Sequence, residues 1–161
     1  MLAADDMLFS YRWGADTLQR LAADIADERF AEQPIAAINH PAWLVQHVAN
    51  YNRVINSLLR GEDFANPWDE PCGKNSTPTA DRAAYPSKAE ILDDFRSGFE
   101  AAAATIADAP ADAWQAPLVH PTWGKQFATV APAVAFLATT HLALHVGQLS
   151  GWRRAAGLPR V

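Results

Sequence analysis

The segment VAPAVAFLATTHLALHVGQLSGWRRAA, residues 130–156, decides how the rest of this sequence is interpreted. It lies in a stretch that has no Asp, Glu, Lys or Arg between Lys125 and Arg153. A helix of this length could cross the roughly 30 Å hydrocarbon core of a bilayer. The segment also contains two histidines, which are costly and rare in a membrane. It therefore predicts the central helix of a soluble bundle, buried on most sides.

Three earlier segments have apolar side chains spaced three and four residues apart, the pattern of an amphipathic helix. Four amphipathic helices of this length pack most simply as an all-α four-helix bundle, which we predict as one domain over residues 1–161. The predicted helices run from about Leu2 to Ala31, from about His40 to Arg60, from Ser87 to just before Pro110, and from about Val130 to Ala156.

Residues that favour helix ends bound two of these segments. Asn39 is the predicted N-cap of the second helix. Gly61 lies just past the end of that helix, where a left-handed residue is expected. Ser87 and Glu90 have the spacing of a capping box at the start of the third helix.

Two longer connections separate the helices. Residues 61–86 contain four prolines and two glycines and have no helical period, so they form either a functional loop or a crossover along the bundle. Residues 110–128 form the second connection, in which a short hairpin is an alternative to an irregular loop.

The composition excludes several classes of protein. Half of the 161 residues are apolar, which excludes global disorder. The net charge is −5, only 3 of the 13 cationic residues are lysines, and no basic run occurs, so we expect no nucleic-acid partner. Cys72 is the single cysteine, which suits a reducing compartment. The start MLAADDMLFS lacks the basic and apolar regions of a secretory signal, and a cytoplasmic location without membrane attachment is expected.

Three histidines form the main chemical pattern. His141 and His145 lie one turn apart on one helix face, where both imidazoles can bind one divalent ion. His47 lies on the inward face of the second helix, so the three rings converge if the two helices face each other at similar heights. Each histidine could instead be an ordinary polar residue with its own hydrogen bonds. Asn50 and Gln148 lie about one turn from His47 and His145, as hydrogen-bond partners of the rings or as ordinary polar packing.

Three segments resemble the DinB-like (YfiT-like) superfamily of four-helix bundles. HLALHVGQLSGWRRAAGLPRV (141–161) resembles its C-terminal signature, and YPSKAEILDDFRSGFEAAAATIAD (85–108) resembles its third helix. HPAWLVQHVANYNRVINSLLRG (40–61) is similar to its second helix, where His47 matches a metal-binding histidine. The resemblance implies an up-down-down-up bundle with a long crossover, a divalent-metal site of three histidines, and frequently a homodimer.

Such a site predicts one of two reactions on a small molecule. Three neutral ligands leave the charge of the ion uncompensated and a position open, which lowers the pKa of bound water or activates a thiolate. The resemblance implies both a metal-dependent hydrolase and a transferase that uses a low-molecular-weight thiol. Zn²⁺ or Ni²⁺ is the expected ion, with Fe or Mn as alternatives. Leu142 occupies the position where an H-E-x-x-H protease has its glutamate, which disfavours that type of peptide hydrolysis.

Other residues could take part in the chemistry. A general base would come from Glu62 or Asp63 at the end of the second helix, or from Tyr11 on the first. Trp68 or Tyr85 on the long loop could contact the substrate.

Two functions without catalysis are the alternatives. The first is a metal-stabilised bundle that acts by association, such as a stress-induced dimer, and a fourth ligand such as His40 or His120 would favour it. The second is a small-molecule-binding bundle whose histidines do not converge. The segments HPAW (40–43) and HPTW (120–123) look alike, and we treat two matches this short as coincidence.

Overall fold

The computed structural model describes residues 4–161. A π-helical turn, Phe136–His141, joins two α-helices into one continuous C-terminal helix, Val130–Ala155. Short 3-10 turns lie at Asp27–Arg29, Arg82–Ala84 and Trp123–Lys125. The α-helices are α1 (Ala4–Ala23), α2 (Pro41–Arg60), α3 (Lys88–Asp108), α4 (Ala111–Gln115), α5 (Val130–Ala135) and α6 (Leu142–Ala155).

The helices α2 and α3 pack side by side and run in the same direction. Asn52 donates a hydrogen bond to the carbonyl of Phe95, and further along both helices Asn56 accepts one from Thr105. Because residue numbers increase in the same direction along both helices at these contacts, the two helices are parallel. Residues 61–87 therefore form the long crossover that returns the chain to the other end of the bundle.

The helix α1 runs parallel to the C-terminal helix on the other side of the bundle. Gly14 lies against the side chain of Leu142, and further along both helices the carbonyl of Leu21 accepts a hydrogen bond from Arg153. Contacts of α1 with α3, and of α2 with the C-terminal helix, close the four-helix arrangement. The all-α, up-down-down-up bundle with a long crossover is confirmed.

The C-terminal helix is less buried than the sequence predicts. By length and composition it is the one helix within residues 4–161 that could span a membrane, with a mean hydropathy of 1.4 in its most apolar window. The bundle buries 44% of that window, and the helix packs on both α1 and α2. This packing is consistent with the core helix of a soluble domain.

The first helix is shorter than predicted. It ends at Ala23, so the prediction of helix through Ala31 is wrong, and Leu2 lies outside the described residues. The residues after Ala23 bind other parts of the chain. Asp27 accepts the backbone N–H of Lys88 at 2.6 Å, and the Lys88 ammonium donates to the carbonyls of Ala23 and Ile25. These contacts replace the hydrogen bonds that a longer helix would make.

The ends of the next helices agree with the sequence except at one cap. His40, not Asn39, is the N-cap of α2, because its Nδ1 accepts the backbone N–H of Trp43 at 3.3 Å. Gly61 ends α2 with φ +65°, as predicted, and the capping box of Ser87 and Glu90 is present.

The second connection does not form a hairpin. Within the described residues it contains the short helix α4 and one isolated antiparallel bridge between Pro117 and Thr129. Prolines at 110, 117 and 121 limit strand pairing, since proline has no backbone N–H to donate.

Candidate metal centre

His47, His141 and His145 lie together between α2 and the C-terminal helix. The Nε2 atom of His141 is 3.2 Å from Nε2 of His47 and 3.1 Å from Nε2 of His145. One ligand atom from each ring lies within 4.8 Å of the other two, and all three residues are buried. The structure thus brings together the three histidines that the sequence singles out.

The π-helical turn sets the direction of two of these rings. His141 is its last residue, and His145 follows one turn later in α6. A π turn inserts one residue relative to an α-helix, which rotates the following side chains by about 100° around the axis. Thr139 donates to the carbonyl of Ala135 at 2.6 Å within this wide turn. Such turns occur often at functional sites, and the hydrophobic pattern of the sequence did not reveal this one.

Hydrogen bonds from the outer nitrogens fix two of the rings. Nδ1 of His47 donates to the carbonyl of Cys72 at 2.6 Å, and Nδ1 of His145 donates to Oε1 of Gln148 at 2.9 Å. A carbonyl oxygen can only accept, so the ring proton of each lies on Nδ1. Nε2 therefore carries a lone pair on both rings, which is the form that binds a metal.

Asn50 makes its hydrogen bonds to groups other than His47, which agrees with the second of the two alternatives for this residue. Its amide donates to the carbonyl of Pro71 at 3.0 Å, and its oxygen accepts a hydrogen bond from Arg53. The backbone carbonyl of Cys72 takes the place next to His47 instead. Asn50 therefore holds the loop that supplies this carbonyl. A backbone group leaves no pattern in the sequence, which explains why the partner was missed.

The loop around Cys72 is tightly built. Cys72 has a φ of +62°, an uncommon conformation for a residue with a side chain. A Cβ atom on Gly73 would lie 2.3 Å from the carbonyl oxygen of Pro67, so only glycine fits there. Burial raises the pKa of the Cys72 thiol to about 12, and the thiol donates to Gln46 at 3.1 Å. Cys72 therefore contributes its carbonyl to the site, while its thiol stays protonated at neutral pH.

The two His-Pro-x-Trp segments, whose similarity we treat as coincidence, share one local hydrogen bond. In each, Nδ1 of the histidine accepts the backbone N–H of the tryptophan three residues later, at 3.3 Å. The Trp43 ring stacks on His47 with 4.5 Å between ring centroids, and Trp123 packs against Tyr51. The repeated pattern was the signal that could have placed both indoles at the site.

A cavity of about 320 Å³ opens beside the three histidines. Trp68 lines it, as expected from its position on the long loop. Tyr85 does not, because its ring packs edge-on against His40 and its hydroxyl accepts the backbone N–H of Thr79. The lining residues are Trp43, His47, Tyr51, Trp68, Lys74, Trp123, Gln126, Phe136, His141 and His145.

None of the three residues considered as general bases lines this cavity. Glu62 and Asp63 line a separate cavity at the end of α2. Tyr11 is buried and donates to Oδ1 of Asn52 at 2.6 Å. Burial raises its pKa, so it remains a protonated structural group. Tyr51, Lys74, Gln126 and Phe136 line the cavity and were not singled out from the sequence.

The remaining histidines do not extend the cluster. Nε2 of His40 bonds to the carbonyl of Thr79 at 2.9 Å, and His120 stacks on Phe64. Within residues 4–161, no fourth His, Cys, Asp or Glu joins the three histidines. Four-coordinate zinc would therefore have one position that the described protein does not fill.

The donor set is electrically neutral near pH 7. Burial and the neighbouring imidazoles lower the pKa of His47 to about 4 and that of His141 to about 2. Burial also lowers the pKa of His145. Nδ1 of His141 and the indole nitrogen of Trp123 are buried without a hydrogen-bond partner among the described residues. Three clustered neutral imidazoles fit a divalent ion and are compatible with metal binding.

Comparison with known proteins identifies the family. A family model described as the DinB superfamily matches residues 10–149, a region that includes all three histidines. No curated protein and no solved structure matches the chain significantly. Because the matched region covers most of the sequence, this chain belongs to the DinB superfamily.

Proposed function

We propose that this protein is a metal-dependent enzyme that acts on a small molecule. His47, His141 and His145 would hold one divalent ion, Zn²⁺ or Ni²⁺ first, with Fe or Mn as alternatives. The observation that carries the proposal is the buried cluster of three neutral nitrogens, which no fourth ligand joins among residues 4–161. A structural zinc site normally closes its fourth position with a protein side chain, whereas a catalytic one leaves it open.

The surrounding residues would orient the ligands and supply a proton. The carbonyl of Cys72 and the amide of Gln148 hold two rings, and Trp43 stacks on His47. When bound, the ion would supply Lewis-acid chemistry that lowers the pKa of a water or of a thiol. Burial raises the pKa of Tyr51 to about 12, so its hydroxyl remains a hydrogen-bond donor in the cavity at neutral pH.

The walls of the cavity favour thiol transfer over hydrolysis. Attack by water benefits from a general base near the ion, as the glutamate of H-E-x-x-H enzymes shows. The described residues that line this cavity include no carboxylate. A thiol has a much lower pKa than water and needs less help to lose its proton. We therefore rank an S-transferase that uses a low-molecular-weight thiol first and a hydrolase second.

Metal content per chain tests the proposed site. Elemental analysis of protein purified without an affinity tag should find about one divalent ion per chain. The variant His141→Ala should lose it, because His141 lies between the other two nitrogens. The control His120→Asn changes a histidine outside the cluster and should retain it. If the unmodified protein takes up no metal even on titration, the proposal is refuted.

The open position can be tested with cobalt in place of the native ion. Adding a small thiol such as 2-mercaptoethanol should change the absorption spectrum of the Co²⁺ protein if a solution ligand can reach the ion. An unchanged spectrum would favour the alternative, a metal-stabilised bundle that acts by association.

We also propose a homodimer whose interface includes the exposed surface between α1 and the C-terminal helix. Phe9 and Trp13 are 71% and 62% exposed there, beside an apolar groove lined by Gly14 and Gly147. Protruding aromatics next to a groove of small residues form a self-complementary surface, as a twofold interface requires. Sedimentation should find a dimer that Trp13→Glu dissociates, and a monomeric unmodified protein would contradict this part of the proposal.

Location and other partners stay proposals as well. The single cysteine and its inert, buried thiol support a cytoplasmic protein. The net charge of −5 supports the absence of a nucleic-acid partner, since such partners are held largely by lysine and arginine contacts to phosphate.

A further inference from the structure

The cavity beside the histidines has a charge pattern unlike that of the whole chain. The chain has 18 acidic and 13 basic residues, yet the described lining contains one charged side chain, Lys74, and no acidic one. The three histidines are neutral near pH 7 because they are buried. A ligand in this cavity therefore meets a positive charge without any negative charge in the wall.

Lys74 is held at the rim of the cavity by its loop. Its ammonium lies 4.0 Å from the centroid of the Trp68 ring, over the face of the indole. The backbone N–H of Asn75 donates to the carbonyl of Trp68 at 2.9 Å. This bond holds the residue that follows Lys74 next to Trp68. The same loop supplies the Cys72 carbonyl to His47. The loop therefore links Lys74 to His47, since Cys72 lies two residues before Lys74 and its carbonyl bonds to His47.

The rest of the wall is aromatic and offers hydrogen bonds to a ligand oxygen. Trp43, Trp68 and Trp123 present indoles, and Phe136 adds a phenyl ring. Tyr51 adds a hydroxyl that can donate a hydrogen bond. Gln126 adds a further amide to the lining. Flat apolar surfaces with a few polar groups are typical of small-molecule sites.

We propose that the cavity selects small organic anions, namely carboxylates with a flat apolar body. Lys74 pairs with the carboxylate at the rim, and the indoles contact the apolar body. This inference rests on the proposed function, because the anion is the substrate only if the neighbouring metal site is catalytic. Anion selectivity itself depends on Lys74 and the aromatic wall, so it can be measured with and without metal.

Titration calorimetry with a matched pair of probes tests the selectivity. 3-Phenylpropanoate and 3-phenylpropanamide have nearly the same shape but differ in charge. The acid should bind about fivefold more tightly than the amide to the metal-free protein at low salt, as expected for one exposed ion pair. The preference should shrink in high salt, since exposed charges are screened. The zinc-loaded protein should show the same preference or a stronger one.

Variants assign the preference to Lys74. Lys74→Gln should abolish it, and Lys74→Arg should retain it because the charge remains. Arg12→Gln removes one positive charge from an exposed position on α1 outside the cavity, and should leave the preference unchanged. Equal binding of the two probes, no binding of either at millimolar concentration, or an unchanged preference in Lys74→Gln would overturn the proposal. None of these results depends on metal uptake, so the proposed function is tested separately.

Discussion

One helix carries two buried polar sites that differ in how their polar groups are satisfied. Arg153 is 2% exposed, and its guanidinium pairs with Asp24 and donates to the carbonyls of Leu21 and Pro159 at 2.7 and 3.0 Å. Eight residues earlier, about 12 Å along the helix, His145 lies in the three-histidine cluster. That cluster has no counter-charge, and its inner nitrogens face one another.

The difference distinguishes a self-contained ion pair from a cluster that is compatible with metal binding. At Arg153 the chain supplies both the opposite charge and the carbonyl acceptors, and only the Nε atom lacks a partner. This arrangement joins the end of α1 to the C-terminal segment. At the histidines the described chain supplies partners only for the outer nitrogens of two rings. The proposed metal ion would supply the partner that the described chain does not provide to the inner nitrogens.

The largest expected effect is on the structural site. Asp24→Asn removes the counter-charge and leaves a buried guanidinium unpaired, which should lower the free energy of unfolding by about 3 kcal/mol. Urea denaturation measures this change. The control Asp16→Asn breaks an exposed pair with Arg20 and should cost less than about 0.5 kcal/mol. Equal losses in the two variants would contradict the structural role of Arg153. Metal uptake should be normal in both.

Acid should weaken the two sites in different pH ranges. The pKa of His47 is about 4 in the folded protein and about 6.5 in the unfolded chain, so the unfolded chain binds the proton first. Stability of the metal-free protein should therefore fall as the pH drops from 6.5 towards 4, by about 2 kcal/mol at pH 5 from His47 alone. Arg153 lowers the pKa of the Asp24 carboxyl, so this pair loses its stabilising effect only below pH 3.8.

Urea denaturation at pH 7.5 and at pH 5 measures the first range. His47→Gln should lose less stability than the unmodified protein between these two values, because glutamine does not titrate. Asp24→Asn should lose as much as the unmodified protein. An identical loss in His47→Gln would show that the histidine cluster does not cause the acid sensitivity.

Gly73→Ala should damage the functional site through its loop. The new Cβ atom would collide with the carbonyl of Pro67, and the loop must shift the Cys72 carbonyl away from His47. Loss of such an outer hydrogen bond should weaken metal binding about 30-fold. Competition with a chelator of known affinity measures it. Gly151→Ala is the matched control, because a Cβ atom there meets nothing within 4 Å, and its metal affinity should be unchanged.

The smallest expected effect comes from Gln148→Ala. This change removes the acceptor that holds Nδ1 of His145, and metal affinity should fall about tenfold. The control Gln19→Ala removes a glutamine whose amide bonds to the carbonyl of Ala15 within α1, and it should bind metal normally. The same chelator competition measures the metal affinity of both variants. Equal affinities would show that Gln148 is ordinary polar packing.

Much of the fold could be predicted because its signals are local. Apolar spacing placed all four long helices, and the capping box at Ser87 and the glycine after α2 marked ends correctly. Predictions failed where contacts between residues far apart in the sequence decide the local structure. The end of α1 depends on Lys88, which lies 65 residues from Ala23 in the chain. The cap at His40 was missed because a histidine nitrogen is an unusual N-cap acceptor.

The sequence by itself determined the helices, the bundle and which three histidines share inward faces, because helical periodicity and spacing are properties of neighbouring residues. Tertiary structure alone decided that the Cys72 carbonyl, and not Asn50, meets His47. It also placed Lys74 at the cavity and paired the buried Arg153 with Asp24. These contacts join residues that are far apart in the sequence, and the Cys72 carbonyl and Lys74 belong to the long crossover. Which groups meet therefore depends on how the whole chain folds and not on local spacing.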